Sequence, residues 1–300
     1  MVSLPLSNFL DLIQNKMPVF NVYDIGEHPD VFCIDMHMES AVILKNIIPK
    51  LGPVKKLYLL AGSTWTPNCI DIGIDYEVIP YSHWLYSWRG IADKAPAYEF
   101  GPKPYKFCSL IGKDRWPREM FVSSILKKFP NKDYILNYQG EMLAQDSSLL
   151  DNITLSKNEV VHRQGLNLPF DLLNSCNFNL ICETDVTQLD FFVTEKTLRS
   201  LAIGQPFIVY GQVNFYKKLK QLGFNVYDDL YDTNFSTLGG FTERGMKMLA
   251  RVEYLYNLDW SQHTWQLQDI QDHNRNVFAN NLQAHYEKEV DYCKKVLNTV

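Results

Sequence analysis

The sequence predicts an α/β protein of two lobes, each built around a parallel, doubly wound sheet. Apolar runs of strand length alternate with helical periods over most of the 300 residues. The links between these runs are short, which favours parallel strands joined by crossover helices. Residues 89–103 (RGIADKAPAYEFGPK) are rich in Gly, Pro and Ala and lack periodicity. We therefore place the boundary between the two lobes in that stretch.

The first lobe, residues 1–100, opens with a strand–helix–strand pattern. VFCIDMH (31–37) predicts a buried strand, and SAVILKNIIPKL (40–51) predicts a helix. KKLYLLAGS (55–63) and YEVIPYS (76–82) predict two further strands. This order is that of a βαβ unit.

The second lobe, residues 101–275, continues the alternation of strands and helices. Its predicted strands are 105–112, 133–140, 177–184, 206–211 and 224–228. Its predicted helices are 118–129, 193–204 and 215–223, and the chain reads as helical from Thr242 onward. A long final helix is predicted at 278–297. We expect the C-terminal segment that contains it, residues 276–300, to cross back to the first lobe.

Composition and charge restrict the class of protein. The chain is 46% hydrophobic and 21% charged, as in soluble globular proteins, and no apolar run approaches the ~18 residues of a membrane helix. The N-terminus lacks a basic segment before an apolar core, so we expect an intracellular protein without a membrane partner. The six cysteines form no CxxC pair, which favours free, buried thiols over a zinc or redox site.

The charge distribution indicates a local anion site in an acidic chain. The net charge of −5 argues against a surface coated with positive charge for nucleic acid. Between Lys103 and Lys132, however, eight basic residues stand against only Asp114 and Glu119. This basic segment is either an anion-binding surface or, in part, a solvated helix face.

The stretch FFVTEKTLRSLAIGQPFIVYG (191–211) places a polar triplet at the start of an apolar helix. A helix that follows one parallel strand and precedes the next begins at the carboxyl edge of the sheet, where ligands bind. Thr194 is the expected N-cap, and the first-turn amides attract an anion such as a diphosphate. Lys196 would add a full charge, while Glu195 and Glu183 could accept hydrogen bonds from ribose or sugar hydroxyls. The alternative is that Glu195 only complements the helix dipole and Lys196 is solvated.

The segment NLICETDVTQLDFFVTEKTLRSLAIGQPFIVYG resembles the donor-binding segment of glycosyltransferases of the fucosyltransferase and exostosin type. It also resembles glycosyltransferase-like proteins of bacteriophages, in which a TEKT motif leads into a QPF strand and an LGF turn, here Leu222 to Phe224. The resemblance covers about residues 107–229. It implies a GT-B-like fold of two Rossmann-like lobes and a nucleotide-sugar co-substrate bound by the second lobe.

A second stretch, SLIGKDRWPREMFVSSILKKF (109–129), resembles the same families. Their arginine at this place contacts the donor diphosphate. Arg118 matches it best by position, and Arg115 competes with it. A guanidinium can hold two phosphate oxygens at once and stabilise the charge on the leaving nucleotide. Either arginine could instead be a surface partner of Asp114 or Glu119.

The resemblance implies donor binding without a metal ion. No DxD motif is present, since CIDIGID (69–75) holds Asp71 and Asp75 four residues apart on a predicted loop. The acidic motif reads CETD where the fucosyltransferases usually have a FEN type, so the identity of the donor is not carried over. We expect no metal and no other cofactor, with cationic side chains and a helix N-terminus in place of the metal ion.

The GT-B arrangement would place the acceptor and the general base on the first lobe. Asp35, His37 and Glu39 follow its first predicted strand, so one of them is expected to deprotonate the attacking hydroxyl in an inverting displacement. Glu39 could instead start a helix, and Asp35 could be a satisfied polar group. His83, in PYSHWLYSWRG (80–90), is another candidate base.

Aromatic residues bear on the acceptor. Tyr81, Trp84, Tyr86 and Trp88 could stack on a sugar or an unpaired base, or pack between lobes. The expected activity is glycosyl transfer to a hydroxyl, either on a hydroxymethylated base of phage DNA or on a surface glycan. The expected compartment is the cytoplasm, that of the host if the protein is viral.

Two other classes of function stay open. One is a nucleotide-sugar-binding protein without turnover. The other is a different α/β enzyme, but the chain has neither the GxGxxG loop of an epimerase nor the DxDx(T/V) element of a phosphatase.

Overall fold

A computed structural model describes most of the second half of the chain and parts of the first. The described residues are 2–4, 22–25, 28–35, 48–61, 73–80, 95–112, 116–131, 133–139, 141–143, 170–184, 186, 191 and 193–297. The chain divides into two compact units, residues 1–87 with 282–300, and residues 88–281. Parallel sheets and helices make it a mixed α/β protein, as predicted.

The first unit contains a five-stranded sheet in the order β1-β2-β3-β4-β5. Its strands are Val2–Leu4 (β1), Val22–Ile25 (β2), His28–Asp35 (β3), Lys56–Ala61 (β4) and Tyr76–Pro80 (β5). All neighbours are parallel except β2 and β3. Phe32, Ile34, Leu57 and Leu59 form its buried core. The three predicted strands are thereby confirmed. Of the predicted helix at 40–51, residues 40–47 lie outside the described residues, and Ile48–Lys50 form a 3-10 turn.

The second unit contains another five-stranded sheet, in the order β10-β9-β6-β7-β8. Its strands are Tyr105–Ile111 (β6), Ile135–Tyr138 (β7), Glu141–Met142 (β8), Cys176–Cys182 (β9) and Phe207–Tyr210 (β10). Only β7 and β8 pair antiparallel. Every residue of β9 is buried because the strand lies inside the sheet with both faces covered. Sequence analysis found four of these strands and missed the two-residue β8.

Helices follow the strands of the second unit and continue to the C-terminus. They are Trp116–Lys128 (α1), Phe170–Asn174 (α2), Glu195–Ile203 (α3), Phe215–Gln221 (α4), Phe241–Asn257 (α5), Thr264–Asn276 (α6) and Leu282–Leu297 (α7). The short α2 was not predicted. A π-helical turn, Val277–Asn281, separates α6 from α7, so the final helix begins later than residue 278.

The predicted strand at 224–228 is wrong, since these residues form no strand. The side chain of Asn274 on α6 accepts from the Asn225 amide at 2.8 Å and donates to the Asn225 carbonyl at 3.0 Å. One amide side chain thus satisfies backbone groups that a neighbouring strand would otherwise pair. Tyr227 then turns the chain with φ 64°, which no strand residue adopts.

Different packing covers the two faces of the second sheet. On one face Phe107 stacks on Tyr134, with ring centroids 4.5 Å apart, and lies edge-to-face with Phe129. On the other face α3 is tied to β9 by a 2.8 Å hydrogen bond from the Asn179 amide to the Ser200 hydroxyl. The helix that carries the TEK triplet is therefore fixed directly on the central strand.

Candidate functional site

Helix α3 begins at the carboxyl edge of the second sheet, because it connects the parallel strands β9 and β10. Thr194 is confirmed as its N-cap: the backbone is extended (φ −113°, ψ 176°), and the hydroxyl accepts from the Lys196 amide at 3.4 Å. At the other end, Gly204 is left-handed with φ 72° and donates to the Ser200 carbonyl. Leu198 and Leu201 are fully buried. The first turn of α3 is thereby held at the edge where ligands of parallel sheets bind.

A buried carboxylate occupies the start of α3. Glu183 is fully buried and accepts from the Thr194 amide at 3.2 Å and the Thr194 hydroxyl at 2.5 Å. It also accepts from the Thr197 hydroxyl at 2.6 Å and the Thr184 amide at 3.3 Å. These donors match the acceptor capacity of an ionised carboxylate, which also complements the helix dipole. A ligand hydroxyl would reach Glu183, as the sequence predicts, only by displacing one of them.

Lys196 and Glu195 lie at the partly exposed rim of this first turn. The Lys196 ammonium lies 3.1 Å from a Glu195 carboxylate oxygen, 3.2 Å from the Thr194 hydroxyl and 3.3 Å from the Thr184 hydroxyl. The side chains of Lys196 and Glu195 are 13% and 24% exposed. Burial by itself would raise the pKa of Glu195, but the charges of Lys196 and Arg199 outweigh it and hold that pKa at about 2. Glu195 therefore stays ionised and can accept hydrogen bonds from a ligand.

Arg118 reaches the same edge from the first turn of α1. It is buried, and its Nε donates to the Glu183 carbonyl at 3.4 Å. Arg118 and Lys196 both lie close enough to Cys182, the last residue of β9, to affect the pKa of its thiol. Burial raises the pKa of this thiol to about 12, while the charges of Arg118 and Lys196 act in the opposite direction. The structure thus brings together Arg118, Lys196 and Glu183, three of the residues that the sequence analysis named as candidates for donor binding.

Arg199, to which sequence analysis assigned no role, lies one turn after Glu195 on α3. Its side chain is 6% exposed, and its Nε is buried without a hydrogen-bond partner. Burial lowers the pKa of Arg199 to about 10, and the nearby charge of Glu195 opposes this shift. The i, i+4 spacing of Glu195 and Arg199 was the available sequence signal.

Arg244 on α5 holds three chain segments together at this edge. It is 1% exposed and donates from Nε to the Gly211 carbonyl at 3.0 Å. Its other nitrogens donate to the carbonyls of Val186 and Leu238. Because burial removes solvent from the guanidinium, the pKa of Arg244 is lowered. Its role is structural, and the sequence analysis did not predict it.

The described residues of this edge carry more positive than negative charge. Four cationic side chains, Arg118, Lys196, Arg199 and Arg244, stand against two carboxylates, Glu183 and Glu195. Because these groups are largely removed from water, their charges are weakly screened. The edge is therefore suited to an anion of one or two negative charges, with Glu195 available for a neighbouring hydroxyl.

Of the remaining predicted site residues, the structure describes only the backbone of Asp35. Asp35 ends β3 at the carboxyl edge of the first sheet, opposite Leu60, and its side chain lies outside the described structure. Also outside the described residues are His37, Glu39, Arg115 and the aromatic segment 81–90 with His83.

The described ranges of the chain show neither a metal-binding group nor a membrane-spanning helix. Within them, no group of three or more His, Cys, Asp or Glu side chains is arranged to hold a metal ion. No helix among them has the length and apolarity to cross a membrane.

Comparison with known proteins gives no relative: no protein-family model, curated protein or solved structure matches this chain.

Proposed function

We propose that the protein is a glycosyltransferase that moves a sugar from a nucleotide-sugar donor to a hydroxyl acceptor. The observation that carries this proposal is the cationic carboxyl edge of the second sheet, where Lys196 and Arg118 flank the start of α3. A diphosphate is the anion that best fits two adjacent cations at such an edge. The resemblance of the TEKT segment to glycosyltransferase donor sites supports the same choice.

Each residue of the edge has a distinct role in the proposed donor site. Lys196 neutralises the diphosphate, and Arg118 stabilises the charge that develops on it as the glycosidic bond breaks. Glu195 accepts a hydrogen bond from a hydroxyl of the ribose or the sugar. Glu183 keeps Thr194 and Thr197 in place and thereby orients the first turn of α3. In this scheme the cations take the part that a metal ion plays in other transferases.

The proposed reaction is an inverting displacement. The acceptor hydroxyl attacks the anomeric carbon, the bond from that carbon to the diphosphate oxygen breaks, and the nucleoside diphosphate leaves. The hydroxyl proton passes to a general base, for which Asp35, His37 and Glu39 of the first unit are the candidates. We propose a GT-B-like role for the two units, with residues 88–281 as the donor lobe and the other unit as the acceptor lobe.

A binding experiment tests the donor site. In titration calorimetry with a panel of UDP-, GDP- and CMP-sugars, we expect at least one to bind. Lys196→Gln should weaken that binding at least about tenfold, because it removes one charge from the diphosphate contact. Lys218→Gln is the matched control, since Lys218 is exposed on α4 and the charge change is identical. If no donor binds, or if both variants bind equally well, the donor site is wrong.

A second experiment tests turnover and the acceptor. We propose hydroxymethylated DNA as acceptor, and mass spectrometry after incubation with the bound donor should show a gain of one sugar. A sugar gained only by a glycan would move the acceptor to that class. Donor binding without transfer to water or to any acceptor would favour the second candidate, a nucleotide-sugar-binding protein.

A further inference from the structure

Arg199 is a buried cation on which the charges of Glu195 and Glu183 act, but which makes no ion pair or hydrogen bond with either carboxylate. Its side chain is more than nine-tenths buried, and its Nε makes no hydrogen bond. The nearest carboxylate on its own helix, Glu195, is instead paired with Lys196 at 3.1 Å. The other nearby carboxylate, Glu183, is surrounded by threonine donors. Burying a charge without a hydrogen-bonded partner is costly, and a bound anion would supply the missing partner.

The direction of the Arg199 side chain is set by the helix. Side chains on an α-helix lean toward its N-terminus, so the guanidinium extends from the second turn toward the first. Three groups raise the pKa of Arg199 against the effect of burial: Glu195 in that first turn, the Cys108 thiol within β6, and Glu183 directly after β9. The guanidinium is thus aimed at the carboxyl edge that also holds Lys196.

We propose that Arg199 binds the diphosphate of the ligand together with Lys196, with Arg199 as the bidentate donor of the two cations. The planar guanidinium can donate two parallel hydrogen bonds to phosphate oxygens, whereas the ammonium of Lys196 acts as a point charge. The first-turn amides are less available for this purpose, because Glu183 and Thr194 already accept from those of Thr194 and Lys196. This inference rests on the proposed function and identifies the groups that bind the anion.

The test uses inorganic pyrophosphate and the whole protein. In titration calorimetry, Arg199→Met should weaken pyrophosphate binding at least about tenfold, and Arg199→Lys should weaken it less, because it keeps the charge but not the fork. Arg251→Met is the matched control, since Arg251 pairs with Asp232 on the exposed side of α5. It should leave pyrophosphate binding unchanged.

Thermal unfolding without ligand supplies the second measurement. Arg199→Met should fold and have a Tm close to that of the wild type, because it removes both the cost of burying an unbonded Nε and the attraction of Glu195. A variant that fails to fold would overturn the proposal, since it would show that Arg199 is a structural residue. Unchanged pyrophosphate binding by Arg199→Met, or no binding by the wild type, would overturn it as well.

The two proposals can fail separately. If pyrophosphate binding depends on Arg199 but no nucleotide sugar binds, the anion site stands and the glycosyltransferase does not. If a nucleotide sugar binds with the same affinity after Arg199→Met, the donor site stands without Arg199.

Discussion

Glu195 carries its carboxylate between two cations of the same helix, with Lys196 beside it and Arg199 one turn later. Sequence analysis identified Glu195 and Lys196 because the TEK triplet stands out at the start of an apolar helix. It did not identify Arg199, because an arginine at that position is ordinary on an exposed face and unusual only once it is buried. Burial is a property of the folded chain, and the residue pattern alone does not contain it.

The lowered pKa of Glu195 predicts a loss of stability in acid. The folded-state pKa of about 2 lies below the ordinary value of 4.5, so the ionised group stabilises the fold. This stabilisation, at most about 3 kcal/mol, is fully present above about pH 5 and is lost as the pH falls toward 2. Urea unfolding over this range should show a smaller loss for Glu195→Gln than for the wild type.

The matched control for that pH series is Glu119→Gln. Glu119 is an exposed carboxylate in the first turn of α1, so it shares the position at a helix start but not the burial. This variant should lose stability in acid as the wild type does. Equal acid profiles for Glu195→Gln and the wild type would contradict the assigned role of Glu195.

At the scale of the element, α3 is held at both ends, but only the contact at its N-terminal end could be predicted from the sequence. Thr194 could be predicted as the N-cap from its position before an apolar periodic run. Gly204 ends the helix in the left-handed region and lies against Gln271 of α6, whose side chain donates to the Tyr98 and Ile203 carbonyls. The same long-range dependence explains the wrong strand at 224–228, where Asn274 of α6 replaces a strand partner.

Gly204→Ala should destabilise the protein strongly. The added Cβ would lie 2.2 Å from Gln271 Cγ and 2.9 Å from Gln271 Cβ, and φ is 72°. Left-handed backbone and overpacking together predict a loss of about 2 to 4 kcal/mol in urea unfolding. Gly239→Ala is the control, because a Cβ there meets nothing within 4 Å, and it should cost about 0.5 kcal/mol or less. A small effect at Gly204 would show that α6 can move away from α3.

At the scale of the molecule, the two units divide the chain unevenly, and the last helix belongs with the first unit. The parallel strands could be predicted because their continuous apolar runs record burial on both faces. The proposed general base and acceptor pocket of the first lobe could be predicted only as residue types at the end of a strand. Their geometry falls outside the described residues, at His37, Glu39 and the segment 81–90.

The grouping of α7 with the first unit predicts that damage to α7 spares the donor site. Leu282, Val290 and Cys293 form its buried face, so Val290→Asp should destabilise the first unit by about 3 kcal/mol or more. At temperatures where the first unit of the wild type remains folded, the Val290→Asp variant should still bind pyrophosphate at residues 88–281. The exposed Lys288→Asp serves as control for the change of charge and should leave both properties unchanged. Loss of pyrophosphate binding in Val290→Asp alone would show that damage to α7 also affects residues 88–281.

The carboxylate of Glu183 has a consequence for how relatives of this protein can be recognised. It accepts hydrogen bonds from threonines eleven and fourteen positions later in the chain. A glutamate followed at these spacings by two threonines is therefore the sequence pattern of this helix start. Thr194 and Thr197 of the TEKT motif therefore stabilise the start of the helix, whereas Lys196 contributes to the charge of the edge. A sequence pattern that also requires Lys196, Arg199 and Arg118 would select proteins with the same cationic edge. Such proteins would share the chemistry of the site and not only the start of the helix.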